Sequence, residues 1–285
     1  MDKMARELVA EMRPHLSQTL IIENASGAGG NIGTMLVARA APDGHTVLFN
    51  HIGMATSSAL YKGNLGFKSD ADFEPLGLVA ESPLAVVARP GIPVGSAVEL
   101  VRWIAKQPSV KLANAGVGSA SHLCGLLLQS ALKIDMTSIP YKGTAPAMTD
   151  LMGSHVDLMC DLTANVIPQV VGKRVIPVGV TSATPLKGTL LATVPTLEKF
   201  GIADVQLTVW YGMYAPKGTP AKVIKALNIA ITKAAQSKAF QKAQSDSGID
   251  LIRDARTTPD GHRVYLKQEI ARWTPIIKAA AGYVD

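Results

Sequence analysis

Glycine, hydroxyl and histidine residues cluster in the stretch ANAGVGSASHL, residues 113–123. The stretch follows a predicted strand and opens a predicted helix, where unpaired backbone N–H groups and the helix dipole favour an anion. Gly116 and Gly118 would let that backbone approach a ligand closely. Ser119 and Ser121 add hydroxyl groups. The pattern predicts an anion-binding turn, although capping of the helix by either serine would explain the same residues.

Two later stretches have the same form of strand, turn and helix start. YKGTAPAM, residues 141–148, places a glycine and then Thr144 at the start of a predicted helix. Asp161 follows the predicted strand VDLMC. In open α/β sheets, ligands bind outside the carboxyl ends of the strands. The loops at 116–122, 141–145 and 161–165 are therefore expected to meet at one edge of a sheet.

A third glycine turn, GAGGNIG, raises the question whether the chain binds a nucleotide. Its glycines, at positions 27, 29, 30 and 33, are spaced more loosely than in the G-x-G-x-x-G fingerprint. The next predicted strand ends in Asn50 and His51, so the acid that would hold a ribose is missing. The turn is therefore interpreted as structural.

Patterns typical of catalysis, metal binding or nucleic-acid binding do not emerge. The sequence has no G-x-S-x-G elbow, and its six histidines have no metal-binding spacing. Asp157 and Asp161 share a strand face, which alone is weak evidence for acid–base chemistry. The net charge of +6 is spread over 28 basic and 22 acidic residues. We expect no catalytic residues, no metal, no cofactor and no nucleic-acid partner.

The hydrophobic periodicity predicts alternating strands and helices, from the first helix in residues 1–16 and a strand at Thr19–Glu23 to a last helix at 258–281. This order predicts an α/β fold with mainly parallel sheets. Two long apolar segments, 83–89 and 206–216, flank a middle third that has its own strands and helices. We expect a discontinuous first domain, residues 1–95 and 209–285, and an inserted second domain, residues 96–208, joined by two crossover segments.

The two cysteines, Cys124 and Cys160, allow two interpretations. They could be buried free thiols, or they could form a disulfide that closes a loop of 36 residues. Such a bond would contribute roughly 3–4 kcal/mol to stability. It would also require an oxidising compartment.

Over essentially its whole length the chain resembles the periplasmic receptors of tripartite tricarboxylate transporters, the Bug-type solute-binding proteins. The resemblance rests on ENASGAGGNIGTMLVARAAPDGHTVLF, GVGSASHLCGLLLQ, IPYKGTAPAMTDLMGSHVDLMCD, VPTLEKFGI and WYGMYAPKGTP, in that order. It implies a type II-like, Venus-flytrap binding protein that holds an organic carboxylate between two lobes. The carboxylate, aromatic or aliphatic, would pass to membrane permease subunits, and the receptor would be a monomer without enzymatic activity.

The resemblance also implies which residues contact the ligand. In the second domain they are Gly118, Ser119 and Ser121, then Tyr141, Gly143 and Thr144, and finally Asp161. In the first domain the stretch NHIGMAT places His51, Gly53 and Met54 where the family often has small polar residues. This departure suggests a less polar pocket, unless Met54 simply packs in the core.

The start of the chain departs from the family pattern. Members begin with a signal peptide, a strand and a glycine loop, whereas this sequence opens at Met1 in a predicted helix. Periplasmic localisation is therefore expected from the resemblance and the cysteine pair, without a signal peptide in this chain. Two alternatives remain open: a nucleotide-dependent α/β enzyme that uses the glycine turns, and a ligand-sensing subunit of a signalling partner.

Overall fold

The computed structural model describes residues 1–25, 27–61, 65–186 and 189–279. The chain divides into two compact units. Unit 1 comprises Met1–Glu81 and Trp210–Asp285, and unit 2 comprises Ser82–Val209. The chain passes from one unit to the other within two strands, the 16-residue strand Phe73–Ala88 and the strand Thr208–Pro216.

The described residues form short strands and one long strand, most of them buried. The strands are β1 Leu48–His51, β2 Phe73–Ala88, β3 Lys111–Asn114, β4 Thr137–Pro140, β5 Leu158–Leu162, β6 Ile176–Val180, β7 Thr208–Pro216 and β8 Asp250–Leu251.

Helices precede or follow nearly every strand. They are α1 Asp2–Met12, α2 Asn31–Ala38, α3 Gly53–Leu60, α4 Ala97–Ile104, α5 Ala120–Leu132, α6 Thr144–Met152, α7 Thr163–Val171, α8 Leu197–Phe200, α9 Ala221–Ala235, α10 Lys238–Asp246 and α11 Pro259–Ala279. Within the described ranges, none of these helices is both long and apolar enough to cross a membrane.

The sheet of unit 2 is built around β3, which pairs in parallel with β4 on one side and β5 on the other. Ala113 lies opposite Ile139 of β4 and Met159 of β5. The second half of β2 runs antiparallel to β5 and to β6. Each of β3, β4 and β5 is followed by a helix, which is the connection that parallel pairing requires.

The predicted α/β class is confirmed, but the expectation of mainly parallel sheets is wrong. In addition to the β2 pairings, β1 with β7 and β8 with β2 are antiparallel. The reason is connectivity. Strand β2 enters unit 2 directly from unit 1, without a preceding helical crossover, so nothing forces it to run parallel to β5.

A buried apolar cluster joins the strands of unit 2 to helices α6 and α7. Val87 and Met159 contribute from the sheet, Leu151 from α6 and Val166 from α7, and all four side chains are fully buried. Burying one such side chain contributes about 1.5–3 kcal/mol. The cluster therefore holds both helices, and the turns that start them, in fixed positions on the sheet.

In unit 1 a buried histidine joins α11 to two strands. The ring of His262 accepts a hydrogen bond from the Gly77 backbone N–H at Nδ1 (3.2 Å), and its Nε2 lies 2.9 Å from the Tyr214 hydroxyl. A β-carbon at Gly212 would lie 2.6 Å from the ring. Glycine at position 212 therefore makes room for the histidine between β7 and α11.

A buried carboxylate makes a second contact between the same elements. Glu269 of α11 accepts hydrogen bonds from the indole N–H groups of Trp210 (3.3 Å) and Trp273 (3.1 Å). Its other oxygen lies 3.3 Å from the Arg272 guanidinium. A buried charge is tolerated where it is paired and hydrogen-bonded in this way. Helix α11 is thus attached to the beginning of the unit 1 part of β7.

Sequence patterns located most elements but were wrong for residues 19–23. No strand forms there in the described chain, and Ile21 is 83% exposed. β-Branched residues fit a strand only where a neighbouring strand and a core receive them. Helix α3, GMATSSAL, was missed for the opposite reason: its residues are moderate helix formers, but six of the eight are buried. Tertiary packing overrides the weak local preference.

His262 yields a prediction about stability and pH. Burial lowers the pKa of His262 to about 3, from 6.5. The unfolded chain takes up a proton below pH 6.5 and the folded chain does not, so this group costs stability as pH falls from 6.5 towards 3. Between pH 6.5 and 5 the loss is roughly 2 kcal/mol.

We expect His262→Gln to be less stable than the wild type at pH 7 but to lose less further stability on acidification to pH 5. Urea unfolding at both pH values measures the difference. His45→Gln is the matched control, because the side chain of His45 is 73% exposed. If the free energy of unfolding falls equally between pH 7 and pH 5 in the wild type and in His262→Gln, the lowered pKa of His262 is contradicted.

Candidate functional site

Three helix N-termini lie at the carboxyl edge of the parallel strands β4, β3 and β5. Helix α5 follows β3 and is capped by Ser119, whose Oγ accepts a hydrogen bond from the His122 backbone N–H (3.1 Å). Helices α6 and α7 follow β4 and β5, with Gly143 and Leu162 at their N-cap positions and no side-chain cap. Each helix start presents backbone N–H groups that lack intrahelical partners. This edge of unit 2 is therefore rich in hydrogen-bond donors.

Hydrogen bonds and close contacts join the three loops to one another. The Tyr141 backbone N–H donates to the Asn114 carbonyl (3.0 Å), and a β-carbon at Gly116 would lie 3.2 Å from the Tyr141 carbonyl oxygen. Thr144 hydrogen-bonds through its side chain to Asp161. The structure thus brings the loops at 116–122, 141–145 and 161–165 together.

Asp161 is a buried carboxylate among these loops. Its side chain is 3% exposed, and Oδ1 accepts a hydrogen bond from the Leu162 backbone N–H (2.7 Å). Burial raises the pKa of Asp161, while the hydrogen bonds from Leu162, Thr144 and Asn165 act in the opposite direction. The carboxyl group is therefore easier to protonate than an ordinary aspartate.

His122 is one of two residues of this edge that the predicted contact set omitted. Gly118 N–H donates to His122 Nδ1 (3.3 Å), so in the neutral ring the proton is on Nε2. Burial lowers the pKa of His122, which favours that neutral form. Its position three residues after the capping serine was the available signal. Asn165, whose amide lies 3.3 Å from Asp161 Oδ2, was also missed, although it follows Asp161 by only four residues, in the first turn of α7.

Three of the predicted contact residues, Ser121, Tyr141 and Thr144, already donate their hydroxyl protons within the fold. Ser121 is 3% exposed and donates to the Cys160 carbonyl oxygen. Tyr141 donates to Asp150 Oδ2 (2.6 Å), and burial together with that carboxylate raises the pKa of the phenol to about 12. Each oxygen can still accept a hydrogen bond. The backbone N–H groups of Gly116, Gly118 and Ser119 are also used, by Asn114 Oδ1, His122 Nδ1 and the Gly116 carbonyl. Donation to a ligand is left to the Ser119 hydroxyl, to the imidazole Nε2–H and to backbone N–H groups in the first turns of the helices.

The three predicted residues of unit 1 lie where β1 turns into α3. The Gly53 backbone N–H donates to His51 Nδ1 (2.9 Å), and burial lowers the pKa of His51 to about 4. The ring is therefore neutral at physiological pH, with its proton on Nε2. Met54 is only 1% exposed and packs in the core of unit 1. The ligand-binding role of these residues, and of those in unit 2, stays a prediction.

The disulfide interpretation of the cysteines is confirmed. Cys124 of α5 and Cys160 of β5 are bonded, with their Cα atoms 6.1 Å apart, and neither is exposed. Among the described residues, no group of three histidine, cysteine, aspartate or glutamate side chains is arranged to hold a metal ion.

Comparison with known proteins places these features in a family. The model of the tripartite tricarboxylate transporter family receptor matches residues 4–281. The solved structure of the periplasmic binding protein BugD is 40% identical, with a TM-score of 0.87, and the match covers 99% of this chain and 93% of BugD.

Two further solved structures contain ligands. MatC from Rhodopseudomonas palustris, with bound malate, is 32% identical with a TM-score of 0.86, over 97% of this chain and 94% of MatC. A second R. palustris protein, solved with adipate, is 27% identical with a TM-score of 0.87, over 98% of this chain and 92% of that protein.

The burial of Asp161 predicts an unusual mutational effect. Because its raised pKa reflects an unfavourable buried charge, Asp161→Asn should be as stable as the wild type at pH 7, or more stable. The raised pKa also means that the wild type gains stability as pH falls through the folded-state pKa, and the variant should lack this gain. Urea unfolding at pH 7 and pH 4.5 measures both effects.

Asp157→Asn is the matched control at the other end of β5. Asp157 pairs with Arg89 (2.9 Å) and accepts a hydrogen bond from the Lys111 backbone N–H (2.9 Å). This variant should be destabilised at pH 7, by about 1–3 kcal/mol. A comparable loss in Asp161→Asn would show that the Asp161 charge stabilises the fold.

Proposed function

The chain belongs to the tripartite tricarboxylate transporter receptor family, and from this premise we propose that it is an extracytoplasmic receptor for an organic carboxylate. It captures the acid without changing it and delivers it to the membrane permease subunits of a transporter. Aliphatic dicarboxylates are the first candidates, because two relatives were solved with malate and with adipate.

The edge where three helices begin is the observation that carries the proposal. Helix N-termini bind anions through free N–H groups and the positive end of the helix dipole. One favourably placed, partly buried helix end contributes up to about 2 kcal/mol. Three of them, at α5, α6 and α7, together with the neutral His122, form a site that suits a carboxylate. The Ser119 hydroxyl, the His122 Nε2–H and the first-turn backbone N–H groups of the helices would supply the direct contacts, beside Gly118, Gly143 and Thr144.

The buried acid Asp161 would make the proposed site selective among carboxylate ligands. The ionised carboxylate of Asp161 would repel a bare ligand carboxylate and attract a hydroxyl or ammonium group, whereas the protonated form could donate a hydrogen bond. The ligand therefore meets donors on most sides and one acceptor. A substituted acid such as malate fits this combination.

The disulfide and the polar groups of the edge bear on the compartment and on the absence of chemistry in the proposal. A buried disulfide is typical of an oxidising compartment, which supports a periplasmic location. The polar groups of the edge are used in caps and in contacts between loops, an arrangement suited to binding without catalysis. We propose a monomer without enzymatic activity or cofactor.

Of the alternatives, nucleotide-dependent catalysis is less favoured. At the end of β1, the Asn50 side chain donates to Thr34 Oγ1 (2.9 Å) and accepts from the His51 backbone N–H (2.8 Å). These hydrogen bonds give the side chain a structural role at the position where a dinucleotide site would place its acid. A sensing role uses the same binding site. Pull-down with the membrane partner distinguishes sensing from transport.

A panel of carboxylates tests the function directly. Malate, succinate, adipate and aromatic diacids are each added to the folded protein, and the melting temperature is measured. A ligand at a hundredfold excess over Kd adds roughly 2.7 kcal/mol of stability. We expect a rise with at least one aliphatic diacid and none with NAD or ATP. Flat curves across all acids would contradict the proposal.

Thr144 provides a test at the level of one residue. Thr144→Val removes the hydroxyl that hydrogen-bonds to Asp161 at the start of α6. It should weaken binding of the ligand acid about tenfold, because the Asp161 charge loses a hydrogen bond and repels the ligand carboxylate more strongly. Thr149→Val is the control, because Thr149 is on the same helix and its hydroxyl donates to the Ala145 carbonyl (3.0 Å). Calorimetric titration should give the wild-type Kd for Thr149→Val. Equal affinities in both variants would remove Thr144 from the site.

A further inference from the structure

The disulfide of unit 2 joins helix α5 to strand β5, two elements of the sheet edge at which the three helices begin. Cys124 is on α5, five residues after the capping Ser119, and Cys160 immediately precedes the buried Asp161. Both sulfurs are fully buried. The bond therefore connects the N-terminal turns of one anion-binding helix to the strand end that holds the acid.

A hydrogen bond repeats this connection one helical turn earlier. Ser121 and Cys124 are three residues apart, so they lie on the same face of α5. Ser121 Oγ donates to the backbone carbonyl of Cys160, the same residue that forms the disulfide. Two attachments on one face, both to residue 160, fix the rotation of α5 as well as its distance from β5.

Close packing on β3 removes the remaining freedom of the helix. A β-carbon at Gly125, the residue after Cys124, would lie 2.9 Å from Leu112 Cδ2. Helix α5 is thus held against both β3 and β5 within its first two turns. The backbone N–H groups of 118–122 cannot shift relative to Asp161 without breaking one of these contacts.

We propose that the Cys124–Cys160 disulfide is a positioning element for ligand binding, which sets the spacing between the α5 N-terminus and Asp161. The inference rests on the proposed function. A prepositioned site avoids the entropic cost of ordering its groups when the ligand binds. Small displacements of such groups are enough to weaken recognition.

The usual role of a disulfide makes the opposite prediction. A bond that only restricts the unfolded chain raises the melting temperature and leaves the native site, and hence Kd, unchanged. Positioning instead predicts that Kd rises in a protein that is still folded. The two roles are separated by measuring affinity and stability on the same variants.

The experiment compares the oxidised wild type with two double variants that lack both cysteines, called the cysteine pairs below. The first combines Cys124→Ala with Cys160→Ala, and the second combines Cys124→Ala with Cys160→Val. The second pair restores part of the lost volume. Leu100→Ala is the stability control, because Leu100 is fully buried on α4, a helix that does not begin at any of the three loops. Titrations with malate and adipate are run well below the lowest melting temperature. Hydrogen exchange of the amides at 116–122 is recorded without ligand.

We expect a loss of affinity of roughly tenfold or more in both cysteine pairs, and less than twofold in Leu100→Ala at a comparable melting temperature. Exchange at 116–122 should accelerate only in the cysteine pairs. Unchanged Kd values in folded cysteine-free protein would overturn the inference and leave the receptor function intact. Failure of both pairs to fold would assign the bond to folding and would also overturn it.

The wild type separates this inference from the proposed function. If the oxidised wild type binds malate or adipate, the receptor function stands whatever the variants show. If it binds no acid of the wider panel, the proposed function fails and the positioning role fails with it.

Discussion

Parallel pairing is the constraint on which the rest of unit 2 depends. Strands β4, β3 and β5 can run in the same direction only if the chain returns between them through crossovers, and here each crossover contains a helix. Every return begins at the same edge of the sheet. The unpaired N–H groups of three helices are therefore a product of the topology, and the local sequence only has to keep them accessible. Glycines at 116, 118 and 143 and small hydroxyl residues do so.

The same edge shows how the chain balances charge. Asp161 would be expensive as an isolated buried anion, but a backbone N–H, Thr144 and Asn165 surround it with hydrogen bonds. His122 stays neutral because it is buried and receives the Gly118 N–H. The protein thus keeps an acid and an uncharged imidazole close to the helix ends. The proposed binding of a carboxylate there would rely on the positions of dipoles and protons and would need no strong cation.

The sequence alone predicted the α/β class, most of the strands and helices, and the three loops that meet. It was less successful wherever the outcome depends on packing partners. Residues 19–23 have strand composition without a pairing strand among the described residues, and α3 is a helix because it is buried. Spacing could identify Ser121 and Tyr141 as polar groups near a turn. It could not show that their protons are donated to Cys160 and Asp150, since those partners are brought close only by the fold.

The histidine between β7 and α11 has a consequence for how this protein can change over evolutionary time. Gly212 leaves the space that the ring of His262 fills, and Tyr214 and the Gly77 backbone provide its two hydrogen bonds. A larger residue at 212 would collide with the ring, and a smaller one at 262 would leave a void and unpaired polar groups. Contacting residues of this kind have non-additive mutational effects. Substitutions at 212, 214 and 262 should therefore be epistatic, so that relatives exchange them together or keep all three.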